Sequence, residues 1–146
     1  MNKTITPPLT NIEFRIPVPP PTRTITPHLK IENLQRFQEI LEENDSIVII
    51  KFSASWCNPC SKLKPFFDEN VKNMPNNIHL YNLDVDENET IYSFLKNKKM
   101  INGIPAILAY YKGNQSFIPN DSVRGFNLNE LNMFFGRCNK IIKSFT

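Results

Sequence analysis

Cys57 and Cys60, in the run Trp56-Cys57-Asn58-Pro59-Cys60, are the residues of this chain whose type and spacing can do chemistry. Two thiols that close can join as a disulfide with almost no rearrangement of the chain, and a paired dithiol offers thiol–disulfide exchange. The pair follows the apolar run Ile47, Val48, Ile49, Ile50 and opens a segment of helical pattern. Where a strand feeds a helix, the first N–H groups of the helix are unpaired and point at whatever sits there. A thiolate at Cys57 is therefore favoured over a thiol. Pro59 suits the first helical turn, where its missing N–H is no loss.

The elements that must hold this pair are legible around it. Leu34, Phe37 and Leu41 fall at helical spacing, which predicts an amphipathic helix ending near Asn44-Asp45. Ile47 to Ser53 reads as a buried central strand. A second helix after the dithiol takes Leu63, Phe66, Phe67 and Val71 as its apolar face, with a kink expected at Pro65. Ile78 to Val85 is the next strand, and Glu89 to Lys98 a helix with Ile91, Phe94 and Leu95 inward. Ala106 to Tyr111 and Gln115 to Gly125 read as two strands joined by a turn at Lys112-Gly113-Asn114, before a last helix from about Leu128. Early alternation of strands and helices with a late hairpin gives an α/β fold: a mixed central sheet with helices on both faces.

The first 28 residues read differently. Seven of the chain's 12 prolines fall within residues 1–27, and apolar residues there show neither helical nor strand period. Proline locks φ and supplies no N–H, so residues 1–28 form a Pro-rich extension, extended or disordered, and residues 29–146 the domain. A solvated extension and a docking arm for a proline-binding partner are the two readings of it.

Composition limits the function. Hydrophobic content of 40% and charged content of 21% are ordinary for a soluble globular protein, and a net charge of +3 without a basic run gives no ground for a nucleic-acid partner. Three cysteines cannot form a fully paired extracellular framework, Met1 to Leu9 lack an apolar core, and no run is long enough to cross a bilayer. A soluble, monomeric protein of a reducing compartment is expected, in the cytoplasm or, if a large DNA virus encodes it, in a virion.

The stretch Phe52-Ser53-Ala54-Ser55-Trp56-Cys57-Asn58-Pro59-Cys60, with Lys64-Pro65-Phe66-Phe67 after it, resembles the active-site strand and helix of the thioredoxin family, above all its eukaryotic cytosolic members. Asp84-Val85-Asp86, Gly103-Ile104-Pro105, and Lys112-Gly113 with Gly125 are similar to three further landmarks of that family in the same order. The resemblance implies the thioredoxin fold and a protein disulfide oxidoreductase. Cys57 would be the exposed nucleophile and Cys60 the resolving thiol behind it. Trp56 would shield the pair and touch substrate. Pro105 would be cis and would present the Ile104 backbone to a substrate strand. Asn58 stands where cytosolic members usually have glycine, so with Pro59 it tunes the balance of dithiol and disulfide. The implied partners are protein disulfides and a thioredoxin reductase or equivalent donor. No cofactor is needed beyond the Cys57–Cys60 disulfide itself.

Lys51 departs from the family, which usually has a buried aspartate there, and Asn82 stands where a lysine is often found opposite it. Two readings follow: Lys51 snorkels out to solvent, or it stays near the dithiol as a charge favouring thiolate or as an amine of lowered pKa. The alternatives to a reductase are a thioredoxin-fold interaction module without turnover, and an oxidase or isomerase that donates its disulfide. Cys138, in step with Leu131, Phe134 and Ile142, is expected as a small buried hydrophobe rather than a dimerising thiol. His28 and His79 are too isolated to complete a metal site with the cysteines. Asp84 and Asp86 are expected to be solvated or to cap the following helix.

Overall fold

A computed structural model describes residues 25–145. Its central strand, β1 (Ile47–Ser53), is buried at every position but Ser53, as its β-branched sequence demands. β1 runs parallel to β2 (His79–Asp84) and antiparallel to β3 (Ala106–Tyr111), and β4 (Asp121–Arg124) pairs antiparallel with β3. The sheet order is β2-β1-β3-β4, a mixed sheet. Among the described residues four helices flank it: α1 (Leu34–Glu42), α2 (Asn58–Lys72), α3 (Glu89–Asn97) and α4 (Leu128–Lys143).

Alternation along β1 divides the core into two layers. Val48, Ile50 and Phe52 pack with Phe37, Ile40 and Leu41 of α1 and Ile91 and Leu95 of α3. Ile47 and Ile49 pack on the opposite face with Leu63 and Phe67 of α2 and Leu131, Phe134, Phe135 and Ile142 of α4. Asn33 and Asn127 cap α1 and α4, their side chains accepting from Arg36 N–H at 2.8 Å and Glu130 N–H at 3.0 Å. Each such cap contributes about 1 kcal/mol.

Several expectations need correcting. The late strand is not Gln115 to Gly125 but only Asp121–Arg124. Asparagine side chains build a loop in the remainder: Asn114 donates to Ile118 O and accepts from Ser116 N–H, and Asn120 accepts from Tyr111 N–H. Such local bonds replace the ladder a strand would make. Phe66 is not on the buried face of α2 but 43% exposed, because the buried positions Cys60, Leu63, Phe67 and Val71 define a stripe it lies beside. α2 continues through Pro65 as one element. Asp84 and Asp86 do not cap α3; its N-cap residue is Asn88, whose side chain instead accepts from Ile31 N–H and donates to Leu29 O.

The boundary at residue 28 also shifts. His28 donates from its backbone to Leu80 O at 2.9 Å and accepts from Asn82 N–H at 2.8 Å, while Ile25 packs against the α2/α4 layer. Residues 25–28 thus belong to the folded body. The rest of the Pro-rich extension, residues 1–24, lies outside the described residues.

Candidate active site

The register brings three loops to one end of the sheet. Phe52 pairs with Ala106 and Ser53 with Asp84, so the segments after β1, after β2 and before β3 emerge together. Cys57 and Cys60 lie there, joined as a disulfide with Cα atoms 5.2 Å apart. Cys57 is the N-cap of α2, in extended backbone conformation, and its sulfur accepts a hydrogen bond from Cys60 N–H at 3.3 Å. The same N–H would face a Cys57 thiolate at the helix start once the disulfide is reduced. Asn58 and Pro59 are exposed on the turn between the cysteines.

The two cysteines are not distinguished by exposure. Cys57 is 6% and Cys60 7% exposed, where Cys57 was expected to stand open. In the disulfide, both belong to the buried cluster that holds Phe52 and Ala54, with Ile104 and Tyr92 packed against it. What distinguishes them is position: Cys57 caps the helix and Cys60 lies inside its first turn.

Around the disulfide, Trp56 is 67% exposed and its indole N–H donates to Asp86 Oδ2 at 2.8 Å. The Asp86 backbone N–H is in turn held by Asp84 Oδ1 at 2.8 Å. The acidic pair that sequence reasoning left to solvent therefore fixes the indole, a contact between residues 30 apart that no local pattern announces. The Ile104–Pro105 peptide bond is cis, Pro105 is buried, and Gly125 N–H donates to Pro105 O at 2.8 Å. Phe66 and Phe126, both exposed, meet with ring centroids 6.3 Å apart, an aromatic pair that the sequence reading missed.

Lys51 lies against α2. It is 7% exposed, and its Nζ lies 4.3 Å from the centroid of the Phe67 ring. Burial pushes its pKa below the ordinary lysine range; Asp68 opposes that shift and Lys64 adds to it. In the register it faces Asn82, whose buried Oδ1 has no hydrogen-bond partner. Phe67 is seven residues past Cys60 on the buried stripe of α2, a rise of about 10 Å.

The other candidates lie elsewhere. Cys138 is fully buried on α4, and burial pushes its thiol up to about 12. His79 pairs with Val48 near the start of β1, away from the disulfide, and its Nε2 lies 2.7 Å from Asp45 Oδ1. His28 stacks on Tyr81, centroids 4.6 Å apart. Among the described residues, no group of three or more His, Cys, Asp or Glu could hold a metal ion, and no helix is long and apolar enough to cross a membrane.

The Thioredoxin family model matches residues 28–134. The chain belongs to the thioredoxin family. Thioredoxin of Oryctolagus cuniculus is 41% identical over 59 residues, 40% of this chain and 55% of that protein. Thioredoxin of Geodia cydonium is 34% identical over 90 residues, 62% of this chain and 77% of that one. Thioredoxin 3 of Plasmodium falciparum is 27% identical over 109 residues, 74% of this chain and 57% of that one. The chain thus aligns with little more than half the length of two of these relatives. Among solved structures, thioredoxin from Trypanosoma brucei brucei matches in fold with a TM-score of 0.62 at 21% identity, covering 89% of this chain and 99% of that one. Plasmodium falciparum thioredoxin matches with a TM-score of 0.57 at 27% identity, covering 75% and 97%. The thioredoxin fold expected from the sequence is the fold found.

Proposed function

We propose that this thioredoxin-family chain is a thiol–disulfide oxidoreductase acting on protein disulfides through Cys57 and Cys60. The observation that carries the reading is the Cys60 N–H aimed at the Cys57 sulfur at the start of α2. In the reduced protein the Cys57 thiolate attacks one sulfur of a substrate disulfide. A mixed disulfide forms, and the other substrate sulfur leaves as a thiolate that takes a proton from water. Cys60, deprotonated, then attacks Cys57 Sγ, which closes the Cys57–Cys60 disulfide and releases the second substrate thiol. Two electrons have passed to substrate, and a thioredoxin reductase or an equivalent thiol donor returns them. The step uses no bound cofactor.

Trp56, held by Asp86, and the Ile104–Pro105 loop form the two banks of the site. A substrate strand crossing it would pair with the Ile104 backbone. Asn58 and Pro59 set the balance of dithiol and disulfide. Lys51, whose Nζ lies over Phe67 on the same buried stripe of α2 as Cys60, acts on that balance from below through the field of its charge. It is a positioning residue acting through the field. A favoured thiolate is a better leaving group, and this supports a second reading in which the chain donates its disulfide as an oxidase or isomerase.

The test is insulin reduction with dithiothreitol as donor. The wild type should accelerate it and Cys57→Ser should return it to background. A wild type no faster than background would leave an interaction module in place of the enzyme. A potential near −270 mV places the chain among reductases and one near −180 mV among oxidants or isomerases.

A further inference from the structure

A groove of about 480 Å³ opens over β3 and β4, between the segment that follows α3 and the start of α4. Ala106 and Leu108 contribute apolar lining, and Lys99, Asn102, Ser122, Arg124 and Glu130 the polar lining. The groove adjoins the cis-proline loop: Ala106 follows Pro105 directly, and Gly125, next to Arg124, is bonded to the Pro105 carbonyl. A second hollow shares Lys99 and Asn102 and adds Lys96. Among the described residues, neither Lys99 nor Arg124 has an ion-pair partner.

The backbone at Lys99 points to a use. Its φ is +64°, and among the described residues it is the one non-glycine in the left-handed region. It closes α3 with Met100 N–H donating to Leu95 O at 2.9 Å and Lys99 N–H to Lys96 O at 3.0 Å. That closure ordinarily takes glycine at this place, because a β-carbon is disfavoured there. The side chain that stands there despite this preference is cationic and lines a groove next to the cis-proline loop, which points to a groove read by charge. The Trp56 flank carries mainly the opposite sign: Asp86 holds the indole, and it lines one hollow with Glu32, Glu87, Glu89 and a single cation, Lys30.

We infer that this groove receives an acidic segment flanking the cystine of the partner protein, held by Lys99 and Arg124, while the acidic Trp56 flank excludes the reversed orientation. The inference rests on the proposed oxidoreductase activity and adds the class of partner.

The test uses the reduced full chain and two single-disulfide peptides of equal length, one with three Glu beside the cystine and one with three Gln. Reduction of the Glu peptide should be about threefold to tenfold faster at low salt, and the ratio should approach one at high salt. In Lys99→Gly with Arg124→Gln the ratio should fall to about one already at low salt. Lys99→Gly alone should raise Tm, since glycine relieves the left-handed backbone, while lowering the ratio. A raised Tm with an unchanged ratio, or equal rates for both peptides in the wild type, would overturn the inference and leave the oxidoreductase reading standing. If neither peptide reacted, both would fall.

Discussion

Cys57 and Cys138 are the same residue on helices of one molecule, one at a helix start and one in mid-helix. Cys57 caps α2 with an N–H directed at its sulfur; Cys138 sits within α4 among Leu131, Phe134 and Phe135, where no charge is tolerated. Burial alone does not separate them, since Cys57 is itself only 6% exposed. What separates them is a polar group supplied to one sulfur and an apolar wall to the other. Placement relative to unpaired backbone donors sets thiol chemistry more than solvent contact does.

The strongest way to break this comparison is substitution. Cys57→Ser should abolish insulin reduction, whereas Cys138→Ser should leave the rate per folded molecule unchanged and cost about 1–3 kcal/mol in a denaturant melt by burying a hydroxyl. Loss of activity in Cys138→Ser at full folding would remove the distinction. Alkylation of the reduced protein at neutral pH sharpens it: a thiol held at about 12 should react at least roughly a thousandfold more slowly than Cys57. Peptide mapping of iodoacetamide adducts over time reads this directly.

Lys51→Met tests the field reaching the dithiol. The variant should be more stable near neutral pH by about 1–3 kcal/mol, because a largely buried, desolvated amine is replaced by an apolar chain of similar length. The sign of the pH dependence follows from the lowered pKa. The unfolded chain, with Lys51 at its ordinary 10.5, holds more protons than the folded one between the lowered value and 10.5. Wild-type stability therefore rises with pH through that window, and below it the penalty is constant. The gap between variant and wild type should narrow as pH climbs toward 10.5, and a gap independent of pH would mean that Lys51 is not desolvated. The Cys57 thiolate pKa, followed by absorbance at 240 nm, should rise by about one unit in the variant; no change removes Lys51 from the mechanism. The smallest effect belongs to Asp86→Asn, which keeps an acceptor for the Trp56 indole and should alter stability by less than about 1 kcal/mol. Indole fluorescence should shift while insulin reduction persists.

Much of this could be read before any coordinates. β1 was legible because Ile47, Val48, Ile49 and Ile50 admit little but a strand buried on both faces, and the dithiol because its place after that strand fixes the chemistry. Residues 115–120 were misread as strand because Asn114 and Asn120 act through side-chain bonds that a hydrophobic pattern does not register. Phe66 was misplaced because adjacent phenylalanines on a helix point about 100° apart, and only Phe67 falls on the stripe of Cys60, Leu63 and Val71. The clasp of Asp86 on Trp56, the Phe66–Phe126 pair and the groove at Lys99 join distant parts of the chain, so no local signal could have shown them.

The ends of the sheet carry one more consequence. Beside β2, His28 offers its backbone N–H and C=O to Leu80 and Asn82, so the chain itself takes up the middle of that border. At the far border, β4 is four residues long, and its Asp121 is gripped by Arg137 through two bonds of 2.7 and 3.1 Å. A border interrupted by the chain itself and a border that is short and charged both shorten the row of open hydrogen-bonding groups from which β-linked aggregates grow.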